Sequence, residues 1–586
     1  MSEQNSKSTP PLPRKKPSVW WYLSGFIALF LAWFFYQLFG PSPAIIVSKE
    51  TTYITTPLRP DGLPDYEKYV LDLMREGVTS ENNAAVSLVE AMGLTDLSAE
   101  ELALVCQEIG VPQAATKALS LTSLYGSENR GRIAQWMHQK TRDDDAVTNG
   151  GTTGSENSAI DSDSLATGRS NEDRAIYGII EQAESRSWTT KDLPPLATWL
   201  VSNSDSLDLL VQACDRPKYY LPPPEMLDNQ SESIAVALVS VQLARDVARS
   251  LSARTMWHLG ENRPAEAWLN LRAIHRMSRL LAQQPTLVGR LIAIAISGIA
   301  DKLTITLVTH GNPTPELLTA IKQELESLSH GALIRDSLEA ERIFMLNSVM
   351  LARSAGPSQL LRFTLSDTTN PAIDALDIIS FDSNIVLRSC NRWVDRAETA
   401  AKLTTRGERI TAYSQIVRDL ETAAEYASRR SLWITGALNR SGRSSLLAAN
   451  IAHLMLGSVL ASQPAEDRAI RSRSMVRAAV EVSLVRATHG EYPASLANLA
   501  SDAAELVPVD ENGRPFLYKR LEEGFLLYSV GENGSDDGGS NESAGVLEGH
   551  SRDLMNQEAA EALLSKIPPG ADDHSIRIPG PKFKLP

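Results

Sequence analysis

The chain has 586 residues, with 57 Lys and Arg set against 71 Asp and Glu for a formal charge of −14. At roughly 100–200 residues per domain that length implies several domains, and 43% hydrophobic content excludes wholesale disorder. The acidic balance, without a compact Lys/Arg stripe, excludes a nucleic-acid partner. Three cysteines far apart, Cys106, Cys214 and Cys390, exclude a disulfide scaffold and a thiolate zinc site.

The first 18 residues form a short polar tail ending in Arg14, Lys15 and Lys16 before Pro17 and Ser18. Residues 19–39, VWWYLSGFIALFLAWFFYQLF, follow, and no charged side chain occurs between Lys16 and Lys49. A helix of this length crosses a ~30 Å hydrocarbon layer. Trp20, Trp21 and Tyr22 at one end and Trp33 and Tyr36 toward the other suit the two interfaces. The basic residues ahead of the helix predict a cytoplasmic N-terminus and an exported remainder. Ser42, Pro43 and Ala44 resemble a signal-peptide cleavage site, but the apolar run exceeds the ~7–15 residues of such peptides, so a retained anchor is expected.

Residues 40–64, rich in Pro and Thr, read as an extended stem. Short helical patterns fill 65–140: one is closed by Gly93, and another opens at Ser98 with Glu100 and Glu101 and stops at Gly110 and Pro112. Residues 141–174, TRDDDAVTNGGTTGSENSAIDSDSLATGRSNEDR, are too polar to offset the entropy of ordering and read as a disordered linker.

A helical body is expected over 175–463. Val239, Leu243, Val247 and Leu251 recur every four residues, and Trp268, Leu271, Ile274 and Leu281 share a face of the next helix. The apolar run between Arg290 and Asp301 suggests a helix buried on most sides, too short by itself for a second crossing, with the two charges marking its ends. Thr314, Pro315 and Glu316 give a further helix start. TMWHLGENRPAEAWLNL has a tetratricopeptide flavour, but no second copy follows at a ~34-residue period, so an ordinary helical hairpin is expected.

Residues 464–540 differ: a helix ending at Gly490, then PFLYKRL and GFLLYSV separated by Glu522 and Glu523, a helix followed by a β-hairpin. Residues 541–586 read as a polar, Pro-rich tail with one helical patch from Leu554 to Lys566. The fold class expected is mainly α: an extended multi-helix body of helical hairpins, a small C-terminal α+β unit and one N-terminal transmembrane helix.

GEYPASLANL, VPVDENGRPFLY and GFLLYSVGENGSDDGG occur in that order. Together they resemble the C-terminal globular part of type II secretion major pseudopilins over residues 465–540. That resemblance implies a calcium site in the acidic glycine loop. Pilus-like assembly is not implied, because the N-terminal helix lacks the Gly-Phe-Thr-Leu-x-Glu processing signature and Asp510-Glu-Asn-Gly replaces the usual Asp-Pro-Trp/Phe-Gly. The stem ETTYITTPLRPDGLPDY and the layout resemble bacterial single-pass, membrane-anchored proteins of unknown function.

Two readings fit the loop. Glu532, Asn533, Asp536 and Asp537 offer hard oxygen ligands for calcium; Gly, Asn and Asp are also the residues that shape a strand-ending turn, and the structural turn is the favoured reading. No metalloprotease, nucleophile-elbow, dinucleotide or phosphate-loop motif occurs. His258 and His275 fall on successive helices without a third ligand and read as surface histidines; Glu339 and Glu341 read as a solvated face. The expected role is an anchored extracytoplasmic scaffold of the bacterial envelope, held in the inner membrane through 19–39 and binding a protein partner. The runners-up are a divergent exported hydrolase with a site between helices and a calcium-stabilised accessory of the secretion machinery.

Overall fold

The structure, a computed structural model, describes residues 19–94, 97–112, 121–148, 171–227, 238–328, 331, 333–356, 380–428, 439–499, 508–551 and 563–578. The cytoplasmic-tail assignment for 1–18 lies outside them, as does most of the Leu554–Lys566 patch. The protein is mainly α, with a small sheet near its C-terminus. It divides into two compact units, one of 1–64, 345–396 and 415–457, the other of 65–344, 397–414 and 458–586.

The first unit begins with α1 (Val19–Phe39), whose Trp20, Trp21, Phe26 and Leu29 are all exposed. A helix this apolar, with its rings outward, is long enough to span a membrane. Its last carbonyls are taken up by two arginines: Arg440 donates to Tyr36 O and Gly40 O at 3.0 Å each, and Arg443 donates to Gln37 O. Gln37 O is one of the groups a helix C-terminus leaves without intrahelical partners, whereas Tyr36 O also accepts Gly40 N–H at 2.9 Å.

Residues 40–64 are not a free stem. Thr51, Thr52 and Ile54 are buried. Asn384 clasps the segment from both sides, accepting from Ile46 N–H at 2.8 Å and donating to Ala44 O at 2.9 Å. Asn391 donates to Glu50 O and Thr51 O. Composition rich in Pro and Thr marks irregular backbone, but it does not reveal that side-chain amides elsewhere satisfy it.

The second unit opens with α2 (Tyr66–Arg75), α3 (Ala84–Met92) and α4 (Ala99–Ile109). Ser98 and Glu101 form a reciprocal capping box at the start of α4, and Gly110 ends it in the left-handed conformation. Next come α5 (Ser127–Thr148) and α6 (Asn171–Ser185). Residues 141–148 and 171–174, expected within a disordered linker, are therefore helical; 149–170 lie outside the described residues. After α7 (Pro194–Ser202) and α8 (Ser204–Ala213) the long helices follow: α9 (Leu238–Gly260), α10 (Pro264–Leu281), α11 (Leu287–His310) and α12 (Pro315–Ser327). The predicted faces are buried: Leu243, Val247 and Leu251 on α9, and Trp268, Leu271, Ile274 and Leu281 on α10.

Two expectations about α11 are corrected. The helix continues nine residues past Asp301 to His310, so length does not exclude a membrane crossing. Nor do Arg290 and Asp301 mark its ends, for the helix runs from Leu287 to His310 and both residues are buried within it. The helix packs against α9, α10 and a long helix further on, inside the core.

The helices α13 (Leu338–Ala355), α14 (Ser383–Ala401), α15 (Arg406–Ser428) and α16 (Arg440–Ala461) have residues in both units. The last helix, α17 (Gln463–His489), packs against α11 and α12 and ends at left-handed Gly490. The hairpin follows as β1 (Leu517–Arg520) and β2 (Phe525–Ser529), antiparallel, with Leu517 opposite Tyr528. A short ribbon of β3 (Val546–Leu547) and β4 (His550–Ser551) precedes β5 (His574–Ile578).

The polar tail is part of the fold: β5 pairs antiparallel with β2, Phe525 opposite Ile578, in the order β1-β2-β5. One contiguous core runs from Ala84 through the helices to Phe525, Leu527 and Ile578. The C-terminal sheet and the helices of this unit therefore share their buried surface.

Candidate metal centre

Backbone chemistry shapes the loop after β2 before any side chain matters. Gly538 and Gly539 hold φ of +65° and +80°, where a Cβ is disfavoured. Gly531 is required for another reason: a Cβ there would lie 1.9 Å from Asp572 Oδ1. The loop thus closes directly over residues 570–573, which lead into β5. Asn533 N–H donates to Asp572 Oδ2 at 3.0 Å, and its Nδ2 donates to Asp537 Oδ2 at 2.9 Å and Gly570 O at 3.0 Å.

Three carboxylates converge there. One oxygen from each of Asp537, Asp572 and Asp573 lies within 4.8 Å of the others. Asp573 is 1% exposed. Its Oδ2 accepts the amides of Asp537 and Gly539, both at 2.9 Å, which fixes the carboxylate plane. Its Oδ1 is buried and makes no hydrogen bond of ordinary geometry, and Asp572 Oδ1 is in the same state. Burial raises Asp573 above the usual carboxylate range; the Gly539 and Asp537 amides oppose that, and the charge of Asp537 adds to it.

The donor set tests well against a hard divalent cation. Calcium takes 6–8 oxygens in flexible geometry, with carboxylates, backbone carbonyls and water all acceptable. Three carboxylates supply the charge, and a cation offers the two buried oxygens the partner they lack.

Of the four residues predicted from sequence, Asp537 belongs to this cluster. Asn533 supports it, its amide holding Asp537 while its Oδ1 accepts Ser535 N–H at 2.7 Å. Asp536 caps its own turn, accepting Gly538 N–H at 3.0 Å. Glu532 is exposed and outside the cluster. Sequence reasoning missed Asp572 and Asp573, which lie in the stretch read as tail. The available signal was an Asp pair directly before HSIRI, a short alternating run.

Elsewhere, three readings of isolated residues are corrected. His258 and His275 are buried, not on a helix surface. Glu341 is not solvated: it accepts Leu287 N–H at 2.9 Å at the start of α11, and burial raises its pKa. Asp301 accepts from Arg473 Nε at 3.0 Å. The three cysteines are buried thiols. No protein-family model, no curated protein and no solved structure matches the chain.

Proposed function

We propose that the protein is a single-pass scaffold of the bacterial cytoplasmic membrane. Its N-terminus lies inside, its helical body outside is available to a protein partner, and its C-terminal sheet is closed by calcium. The observation that carries the calcium reading is the convergence of Asp537, Asp572 and Asp573, one oxygen of each within 4.8 Å of the others, together with two buried oxygens, Asp572 Oδ1 and Asp573 Oδ1, that make no hydrogen bond of ordinary geometry. Asp537 would enter from the loop after β2, and Asp572 and Asp573 from the approach to β5. The ion would neutralise three mutually repelling charges and fasten the last strand to the loop. The likeness of the loop to pseudopilins supports the same reading. The location rests on the exposed, ring-rich α1 and on the basic residues before it.

The test is a melt of the full chain in mild detergent, with and without chelator. A ligand specific for the folded state at 100 times its Kd adds about 2.7 kcal/mol of stability, so calcium is expected to raise the midpoint for the C-terminal sheet. Asp573→Asn should remove the response. An unchanged midpoint on chelation rejects the ion. Location is tested separately by protease added to intact spheroplasts: the body should be digested, and its survival rejects the topology.

A further inference from the structure

The C-terminal end of α1 is crowned by two arginines. Arg440 opens α16, and its Nη2 donates to Tyr36 O and Gly40 O, while its guanidinium lies 5.4 Å from the centre of the Tyr36 ring. Arg443, one turn on, donates to the next carbonyl, Gln37 O, and to Ser380 O at 2.8 Å. Two cationic groups therefore meet on adjacent carbonyls of one helix end. Burial, and then the charge of Arg440, lower the pKa of Arg443, the mark of two like charges held close.

Arg440 keeps donors in reserve. Its Nε is buried without a partner; its Nη1 also makes no hydrogen bond among the described residues but is not enclosed. No carboxylate of the described residues lies within ion-pair distance of it. Beneath it, Leu29, Trp33 and Tyr36 share one face of α1 and are 73%, 50% and 57% exposed. At about 1.5 Å per residue α1 is about 32 Å long, close to the ~30 Å of a hydrocarbon layer. Tyr36 and Arg440 then stand at the level where apolar chains give way to phosphate groups.

We propose that Arg440 and Arg443 bind the phosphate of an anionic phospholipid, with an acyl chain lying along Tyr36, Trp33 and Leu29. The inference rests on the reading of α1 as a membrane anchor. Each part of the ligand is matched separately. A guanidinium pairs with phosphate through charge-assisted, commonly bidentate bonds. The anion also relieves the repulsion between the two arginines. The exposed ring face directly beneath favours a phosphate that carries a hydrocarbon tail over free phosphate. A zwitterionic head brings a cation beside the same two arginines, so a net-negative head is preferred.

Native mass spectrometry of the full chain in neutral mild detergent, titrated with dioctanoyl phosphatidylglycerol or dioctanoyl phosphatidylcholine, tests this. Phosphatidylglycerol is expected to bind at least tenfold more tightly. Millimolar inorganic phosphate should not displace it; displacement assigns the arginines to the free anion and overturns the lipid. Arg440→Gln and Arg443→Gln should each weaken phosphatidylglycerol at least tenfold. Arg392→Gln, which removes an exposed arginine of α14 in the same unit, should leave it unchanged; an equal loss there means diffuse attraction to surface charge and overturns the site. If one arginine variant fails to fold, the other and the lipid ratio of the parent chain decide. Flotation with vesicles of phosphatidylcholine alone separates the anchor from the site. A parent chain that stays in solution rejects both. One that floats but holds the two lipids equally, or holds phosphatidylglycerol regardless of both substitutions, rejects the site alone.

Discussion

Arg471 Nε donates to Glu511 Oε2 at 2.8 Å, and the two side chains are only 3% and 2% exposed. This pair fastens the turn before β1 to the middle of α17. Burial alone would raise Glu511; the bonds and charge of Arg471 outweigh it and hold the carboxyl below its usual range. Arg406 extends the network, reaching Asp467 and, at 2.7 Å, Asn512 Oδ1.

Removing one member of such a pair strands the other. Arg471→Met is expected to destabilise the sheet by about 3–5 kcal/mol, read as faster native-state hydrogen exchange at the amides of β2. Replacing Glu511 by Leu in the same chain should recover most of the loss, because the stranded charge is gone. Unchanged exchange in the single variant would remove the pair from any account of stability.

That pair also shows where sequence reasoning stops. Features set by neighbours along the chain were legible: the Ser98 capping box, the Gly490 stop, the four-residue period of Leu243, Val247 and Leu251, and the hairpin around Glu522 and Glu523. Each depends on contacts within a turn or two. The Arg471–Glu511 pair spans 40 positions, and Asn384 holds a segment 340 positions away. No periodicity encodes either. The carboxylate cluster was half legible for the same reason, since the loop carries Gly, Asn and Asp together while Asp572 and Asp573 arrive only once β5 pairs with β2.

Gly531 offers a steric test of the proposed calcium site. In Gly531→Ala the new Cβ would fall 1.9 Å from Asp572 Oδ1 and 2.4 Å from its backbone O, so that carboxylate must move. Calcium affinity is expected to fall at least tenfold by calorimetry. Gly178→Ala on α6 is the matched control, since an added Cβ meets nothing within 4 Å and alanine favours helix by roughly 1 kcal/mol. Equal calcium affinity in both variants would separate the loop from the ion.

His258 predicts an acid limit to stability. Burial, then the charges of Arg263 and Arg254, lower it from 6.5 to about 4, with Asp208 opposing. A histidine lowered on folding contributes stability above its unfolded pKa and loses it as pH falls toward the folded one. The loss therefore runs from pH 6.5 down to about 4, roughly 3 kcal/mol in all. His258→Gln should flatten that part of the pH profile in denaturant unfolding, although His275 and His574, lowered likewise, keep some slope. An imidazole at position 258 that titrates near 6.5 by NMR contradicts this directly.

Asn391 tests whether residues 40–64 are held or free. Its Nδ2 donates to Glu50 O at 3.1 Å and Thr51 O at 2.8 Å in a buried setting. In Asn391→Ala both carbonyls lose this partner while Thr51 and Thr52 remain packed, at a cost of about 1–3 kcal/mol for the Thr51 carbonyl left buried and unpaired. The segment can recover that energy by leaving its site and exposing the carbonyls to water. Limited proteolysis of the full chain should then cut within 40–64 much sooner than in the parent protein, with cleavage elsewhere unchanged. A free stem would be cut equally fast in both, because an exposed segment has no clasp to lose.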